Sequence, residues 1–94
     1  MPAGLLFLAG DYLGKHREEI LNIVRNQAES AAVHRPLQRI MWIEEKNGTS
    51  EIATTQSHLA TRLGKAIESA CKGSLEIKHG DEAQLVRVYW RRDA

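Results

Sequence analysis

Thr54-Thr55-Gln56-Ser57-His58-Leu59-Ala60-Thr61-Arg62-Leu63-Gly64-Lys65-Ala66-Ile67, running on to Gly73, reads as a strand end that passes directly into an amphipathic helix. Leu59, Leu63, Ala66, Ile67 and Ala70 gather on one helical stripe, the spacing of a core-facing side. His58, Arg62, Lys65 and Ser69 share the opposite, solvated side. Hydroxyl residues open the helix, with Thr55 as its cap, and Gly73 suits a left-handed stop. A helix of this kind needs a sheet to cover.

The strands lie on both sides of it. Upstream, Leu37 to Glu45 and Thr49 to Thr54 flank Asn47-Gly48, a pair that tolerates positive φ and marks a tight hairpin. A two-residue loop there sets Ile43 opposite Ile52 and Trp42 opposite Ala53, with Met41, Ile43 and Ile52 assigned to the core. Downstream, Leu75 to His79 and Gln84 to Arg91 form a second hairpin around Gly80-Asp81-Glu82-Ala83. In the last strand Val86, Val88 and Trp90 alternate with Arg87, Tyr89 and Arg91, so one side packs and the other meets solvent or a partner. Toward the N-terminus, Leu5 to Ala9 reads as a buried strand. A helix follows from an Asp11 cap, through Leu13, Ile20, Leu21, Val24, Ala28 and Ala31, and stops before Pro36.

The resulting order is β-α-β-β-α-β-β. With both helices apolar on one stripe only, the expected architecture is an α+β two-layer sandwich with the helices on one sheet face. Its plan is ferredoxin-like, β-α-β-β-α-β with an extra C-terminal strand. Ninety-four residues suffice for a single domain, 1–94, with one modest core.

Composition narrows the chemistry. The net charge of +1 is far from the excess of Lys and Arg in a strongly basic nucleic-acid binder, so any such contact must come from a local patch. Cys71 is the only cysteine, which excludes an internal disulfide and a Cys-rich zinc site in this chain and fits a reducing cytoplasm. The run Leu5-Leu6-Phe7-Leu8 is much too short to span a membrane, and no membrane partner is expected. His16, His34, His58 and His79 lack the close spacing of a helical metal pair, and no metal site is assigned. Gly4, Gly10 and Gly14 do not make a dinucleotide fingerprint. Cys71, beside the apolar stripe, reads as a buried inert thiol. General acid–base catalysis needs a positioned base in an enclosed pocket, and the sequence offers His58 alone. The reading is therefore non-enzymatic, without catalytic residues or cofactor.

Two binding constellations stand out. At the start of the second helix, free backbone N–H groups and a partial positive charge lie near Thr55, Ser57, His58, Arg62 and Lys65, a set suited to phosphate or RNA. The plainer reading is a capped helix with a solvated cationic face. On the helix-free sheet face, Trp42, Arg87, Tyr89 and Arg91, with Lys78, interleave aromatic rings and cations as stacking and phosphate contact require. Glu44, Glu51 and Glu76 share that side. The face therefore reads equally as cross-strand ion pairing or as a homodimer surface.

Several blocks together carry a family resemblance. They are Pro2-Ala3-Gly4 before an apolar strand, His16-Arg17-Glu18-Glu19-Ile20-Leu21 with Ile23-Val24-Arg25-Asn26, and Pro36-Leu37 with Arg39-Ile40-Met41. Thr54-Thr55 with His58-Leu59-Ala60, Arg62-Leu63-Gly64-Lys65-Ala66, and Leu85-Val86-Arg87-Val88 before Trp90 complete the set. They resemble a family of small bacterial proteins of unassigned function, commonly an N-terminal zinc ribbon followed by this α+β domain. Through Glu51 to Ala60 the family is more remotely similar to the adaptor that exports the large ribosomal subunit in eukaryotes, and to its archaeal relatives. That likeness implies RNA or ribosome association carried by Ser57, His58 and the helix after them. This chain has no CxxC pairs and so no ribbon, and the resemblance then implies either a shortened family member or an excised domain. The sequence thus leads to a cytoplasmic RNA- or ribosome-associated module, with a protein-interaction or homodimerisation domain built on Trp42, Ile40, Tyr89 and Leu85 as the alternative.

Overall fold

An unbroken apolar run from Leu5 to Ala9 suits the first strand to the centre of the sheet. The computed structural model describes residues 2–80 and 85–93. In it strand β1 (Gly4–Ala9) buries Gly4, Leu6 and Leu8 against the helices and turns Leu5, Phe7 and Ala9 to the other face. Two helices follow where one was expected, α1 (Asp11–Lys15) and α2 (Arg17–His34). The break is His16, at φ −125° and ψ 28°, and Gly10 rather than Asp11 stands in the cap position of α1. Tyr12 stacks on the His16 ring at 4.0 Å, while Arg17 reaches across to Ser50 Oγ at 2.8 Å and Glu45 at 2.9 Å. These ties hold the corner.

Strand β2 (Ile40–Lys46) and strand β3 (Thr49–Thr54) pair as the Asn47-Gly48 turn dictates, with φ of 50° and 80° at the two turn residues. Ile43 faces Ile52 and Trp42 faces Ala53. The register shifts between Ile40 and Trp42, however. A bulge of this kind inserts one residue and turns it outward. Met41 is consequently 41% exposed, Ile40 takes the core side in its place, and Leu37 lies outside the strand at 76% exposure.

Helix α3 (Ser57–Cys71) is the main cover of the sheet. Its buried stripe is Leu59, Ala60, Leu63, Gly64, Ile67 and Cys71, rotated slightly from the expected one, so Ala70 is exposed and Cys71 is the buried end. Gly64 permits this seat: a Cβ there would lie 2.6 Å from Val88 Cγ1. Lys72 and Gly73, at φ 60° and 94°, end the helix, and Trp90 Nε1 donates to Lys72 O at 2.6 Å. Strands β4 (Ser74–His79) and β5 (Val86–Arg91) then complete a five-stranded sheet in the order β2-β3-β1-β5-β4. Asp81, Glu82, Ala83 and Gln84, which the sequence assigns to the second hairpin, lie outside the described residues.

The α+β class holds, but the ferredoxin-like plan needs correction. In that plan every neighbouring pair is antiparallel and the strand after the second helix lies beside the first. Here β5 takes that place and runs parallel to β1, while β4 moves to the edge and pairs antiparallel with β5. Burial accounts for the exchange. β5 buries Val86, Val88 and Trp90, whereas β4 carries the exposed Glu76, Lys78 and His79, charged residues that suit an edge. Leu6, Leu8, Ile20, Val24, Ile52, Leu59, Leu63, Ile67, Val88 and Trp90 share one core between helices and sheet. Among the described residues no helix is long and apolar enough to cross a membrane.

Candidate functional site

Two surfaces carry the predicted residues, and the fold sorts them. On the open sheet face, strand pairing sets Trp42, Ala53, Leu5, Arg87 and Lys78 in one row across the five strands. The next row is Glu44, Glu51, Phe7, Tyr89 and Glu76. Phe7, invisible as a site residue in an apolar run, sits beside Tyr89 with ring centroids 5.0 Å apart and planes 15° from parallel. Lys78 Nζ lies 5.6 Å from the Tyr89 ring centroid and 3.2 Å from Glu76. Arg87 borders this pair on β5. Arg91 is spoken for: it pairs with Asp93 at 3.0 Å, and that hydrogen bond and charge hold its guanidinium above its ordinary pKa.

Trp42 belongs to a different patch. It stands two strands away from β1, its indole N–H donates to Glu51 Oε2 at 3.0 Å, and Glu44 lies next to it in sequence order on the same face. The structure therefore brings Tyr89 and Arg87 together with Phe7 and Lys78. It leaves Trp42 at the acidic end of the face.

The second surface is the end of the molecule where α3 begins. Thr55, expected as the helix cap, is instead a tie to the chain entering β2. Its Oγ1 accepts from Arg39 N–H at 2.9 Å and donates to Leu37 O at 2.6 Å. Gln56 occupies the cap position without a side-chain bond, so the helix starts uncapped. The Ser57 and His58 backbone N–H groups find no acceptor among the described residues. His58 is exposed and lines three adjoining cavities, the largest about 370 Å³ and shared with Ser57, Thr61, His79 and Leu85.

A cavity of about 290 Å³ separates α3 from the end of α2, lined by Ala31, His34, Arg35, Gln38, His58 and Arg62. Arg62 is oriented by a hydrogen bond from its Nε to Gln27 Oε1 at 2.9 Å, a neutral partner that leaves its charge uncompensated. Lys65, one turn further along, is exposed and lines none of these cavities. His34, Arg35 and Gln38 were missed from sequence. Their only signal was Pro36, which ends α2 and leaves its last residues at an open edge. Among the described residues no group of three or more metal-ligating side chains is assembled.

No protein-family model, curated protein or solved structure matches this chain.

Proposed function

We propose that this chain is a non-catalytic, cytoplasmic binding module for RNA, of the kind that associates with ribosomes. The observation that carries the reading is the Phe7–Tyr89 pair with Arg87 beside it, Lys78 being shared between the Tyr89 ring and Glu76. Aromatic faces on an uncovered sheet stack on unpaired bases, and neighbouring cations meet the phosphates between them. Of the two rings expected to stack, Tyr89 keeps the role and Phe7 joins it, while Trp42 is hydrogen-bonded to a carboxylate at the acidic end. His58 and Arg62 add a cationic edge at the other surface, with Lys65 nearby, and His58 lies in the block from Glu51 to Ala60 whose resemblance implies the same class of partner. Titration with single-stranded and structured RNA at low and near-physiological salt tests this. Saturable binding that weakens as salt rises supports the proposal, because neutralised phosphates release counterions. Salt-insensitive or absent binding refutes it.

The half-buried Leu5 and Phe7 with the exposed Trp42 and Tyr89 favour a second reading, a face covered by another copy of the chain. Sedimentation over a wide range of protein concentration decides it: a rising mass supports self-association, and a constant monomer excludes it.

A further inference from the structure

We infer that the cleft between α2 and α3 is a binding site for a phosphomonoester, a terminal phosphate group with two negative charges. Three observations converge on it. First, charge is segregated there. Among the described residues the ion pairs are His16–Glu19, Arg17–Glu45, Lys78–Glu76 and Arg91–Asp93, all outside the cleft. Arg35 and Arg62 line it with His34 and His58, and no carboxylate does. Only Arg17, Lys78 and Arg91 of the lysines and arginines are in those pairs, so what marks the cleft is that two arginines and two histidines meet there with no carboxylate among them.

Second, Gln38 is buried to 5% exposure, lines the cleft, and makes no side-chain hydrogen bond among the described residues. Its backbone N–H is satisfied by Arg35 O at 2.9 Å, but its amide is not. Among the described residues no side-chain polar atom is both fully buried and unpaired, so this amide is reached by solvent through the cleft and is open to a ligand there. Third, His58, the second residue of α3, lines the cleft, so the uncapped start of that helix lies at its edge, and its partial positive charge favours an anion.

The cleft, about 290 Å³, has the volume of roughly ten liquid waters, room for a phosphate and part of the group that bears it. Two guanidinium forks suit the geometry of phosphate oxygens, and a terminal phosphate offers more charge to them than a bridging diester. The site shares no residue with the Phe7–Tyr89 face, so it extends the RNA reading to a phosphorylated end without depending on it.

The test is an NMR titration of the intact chain with inorganic phosphate at constant ionic strength, chloride serving as the control anion. Amide shifts at Arg35, Gln38, His58 and Arg62 that saturate with an affinity on the order of 1 mM are expected. Removing one guanidinium as Arg62→Gln or Arg35→Gln weakens binding about tenfold. Gln38→Leu weakens it too, and Lys65→Ala, outside the cleft, leaves it unchanged. Both arginines are exposed, so their variants fold even where Gln38→Leu does not. Linear shifts that chloride reproduces, or saturation indifferent to both arginine variants, overturn the proposal. Glycerol 3-phosphate and a 5′-phosphorylated dinucleotide, each against its dephosphorylated form, identify the source of the phosphate. RNA binding lost in Tyr89→Ala with phosphate binding intact separates this site from the sheet face, and phosphate failing while RNA binds removes this site alone.

Discussion

Phe7 and Tyr89 meet across the parallel pair of β1 and β5, rings 5.0 Å apart, on the sheet face that no helix covers. That contact exists because β5, and not β4, lies beside β1. A stacked aromatic pair contributes about 0.5–1.5 kcal/mol beyond the area it buries. Phe7→Leu, which keeps an apolar side chain but removes the ring, should lower unfolding stability by about that amount in a denaturant titration.

Gly64 and Gly14 should respond to alanine with opposite signs. A Cβ on Gly64 would press on Val88 Cγ1 at 2.6 Å and Leu75 Cδ1 at 3.1 Å, and Val88 is β-branched and fully buried in a strand. Overpacking of this kind costs about 1–3 kcal/mol and outweighs the gain of up to about 1 kcal/mol that alanine brings to a helix. Gly14 has nothing within 4 Å of the same position, so there the propensity gain stands alone. Thermal melts should place Gly64→Ala below the wild type and Gly14→Ala above it.

Trp90 is 1% exposed and its indole N–H closes the end of α3 by donating to Lys72 O at 2.6 Å. Trp90→Phe leaves that carbonyl short of a donor and opens space in the core. A loss of about 2–4 kcal/mol is expected from the two effects together. Hydrogen exchange should accelerate first in the last turn of α3.

Burial, followed by the charge and hydrogen bond of the neighbouring Cys71, holds the Tyr12 phenol above its ordinary pKa, with Arg92 acting weakly in the opposite direction. A raised folded pKa means that the fold favours the neutral phenol. Its contribution is therefore complete below about pH 10, the unfolded value, and is lost as pH rises through the folded one. In a Tyr89→Phe background, the ultraviolet signal of phenolate should appear at higher pH in the folded chain than after unfolding, and Tyr12→Phe should flatten the alkaline loss of stability.

Local chemistry was legible in the sequence. Asn47-Gly48 set the β2–β3 register as far as Trp42, the alternation of Val86, Val88 and Trp90 against Arg87, Tyr89 and Arg91 assigned both faces of β5, and the α3 stripe was right to within a small rotation. What escaped was non-local. Every residue from Leu5 to Leu8 is apolar, so no alternation showed that Leu5 and Phe7 face away from the helices. The bulge at Met41 and the break at His16 depend on ties made across the fold, and a hydrophobic pattern cannot announce one extra residue. Nothing in the order of the strands told that β5 would enter beside β1, and with it the Phe7–Tyr89 pair. The cleft of Arg35, Gln38 and Arg62 joins segments more than twenty residues apart, and Gln38 drew no attention as a lone amide in a predicted strand.

The most direct test of the account is the affinity of the chain for single-stranded RNA at near-physiological salt, measured for wild type, Tyr89→Ala and Trp42→Ala. Base–aromatic stacking is worth about 1–3 kcal/mol. RNA binding through the Phe7–Tyr89 face predicts that Tyr89→Ala binds at least about fivefold more weakly and that Trp42→Ala stays close to wild type. Equal binding by wild type and Tyr89→Ala, or a loss confined to Trp42→Ala, would contradict it.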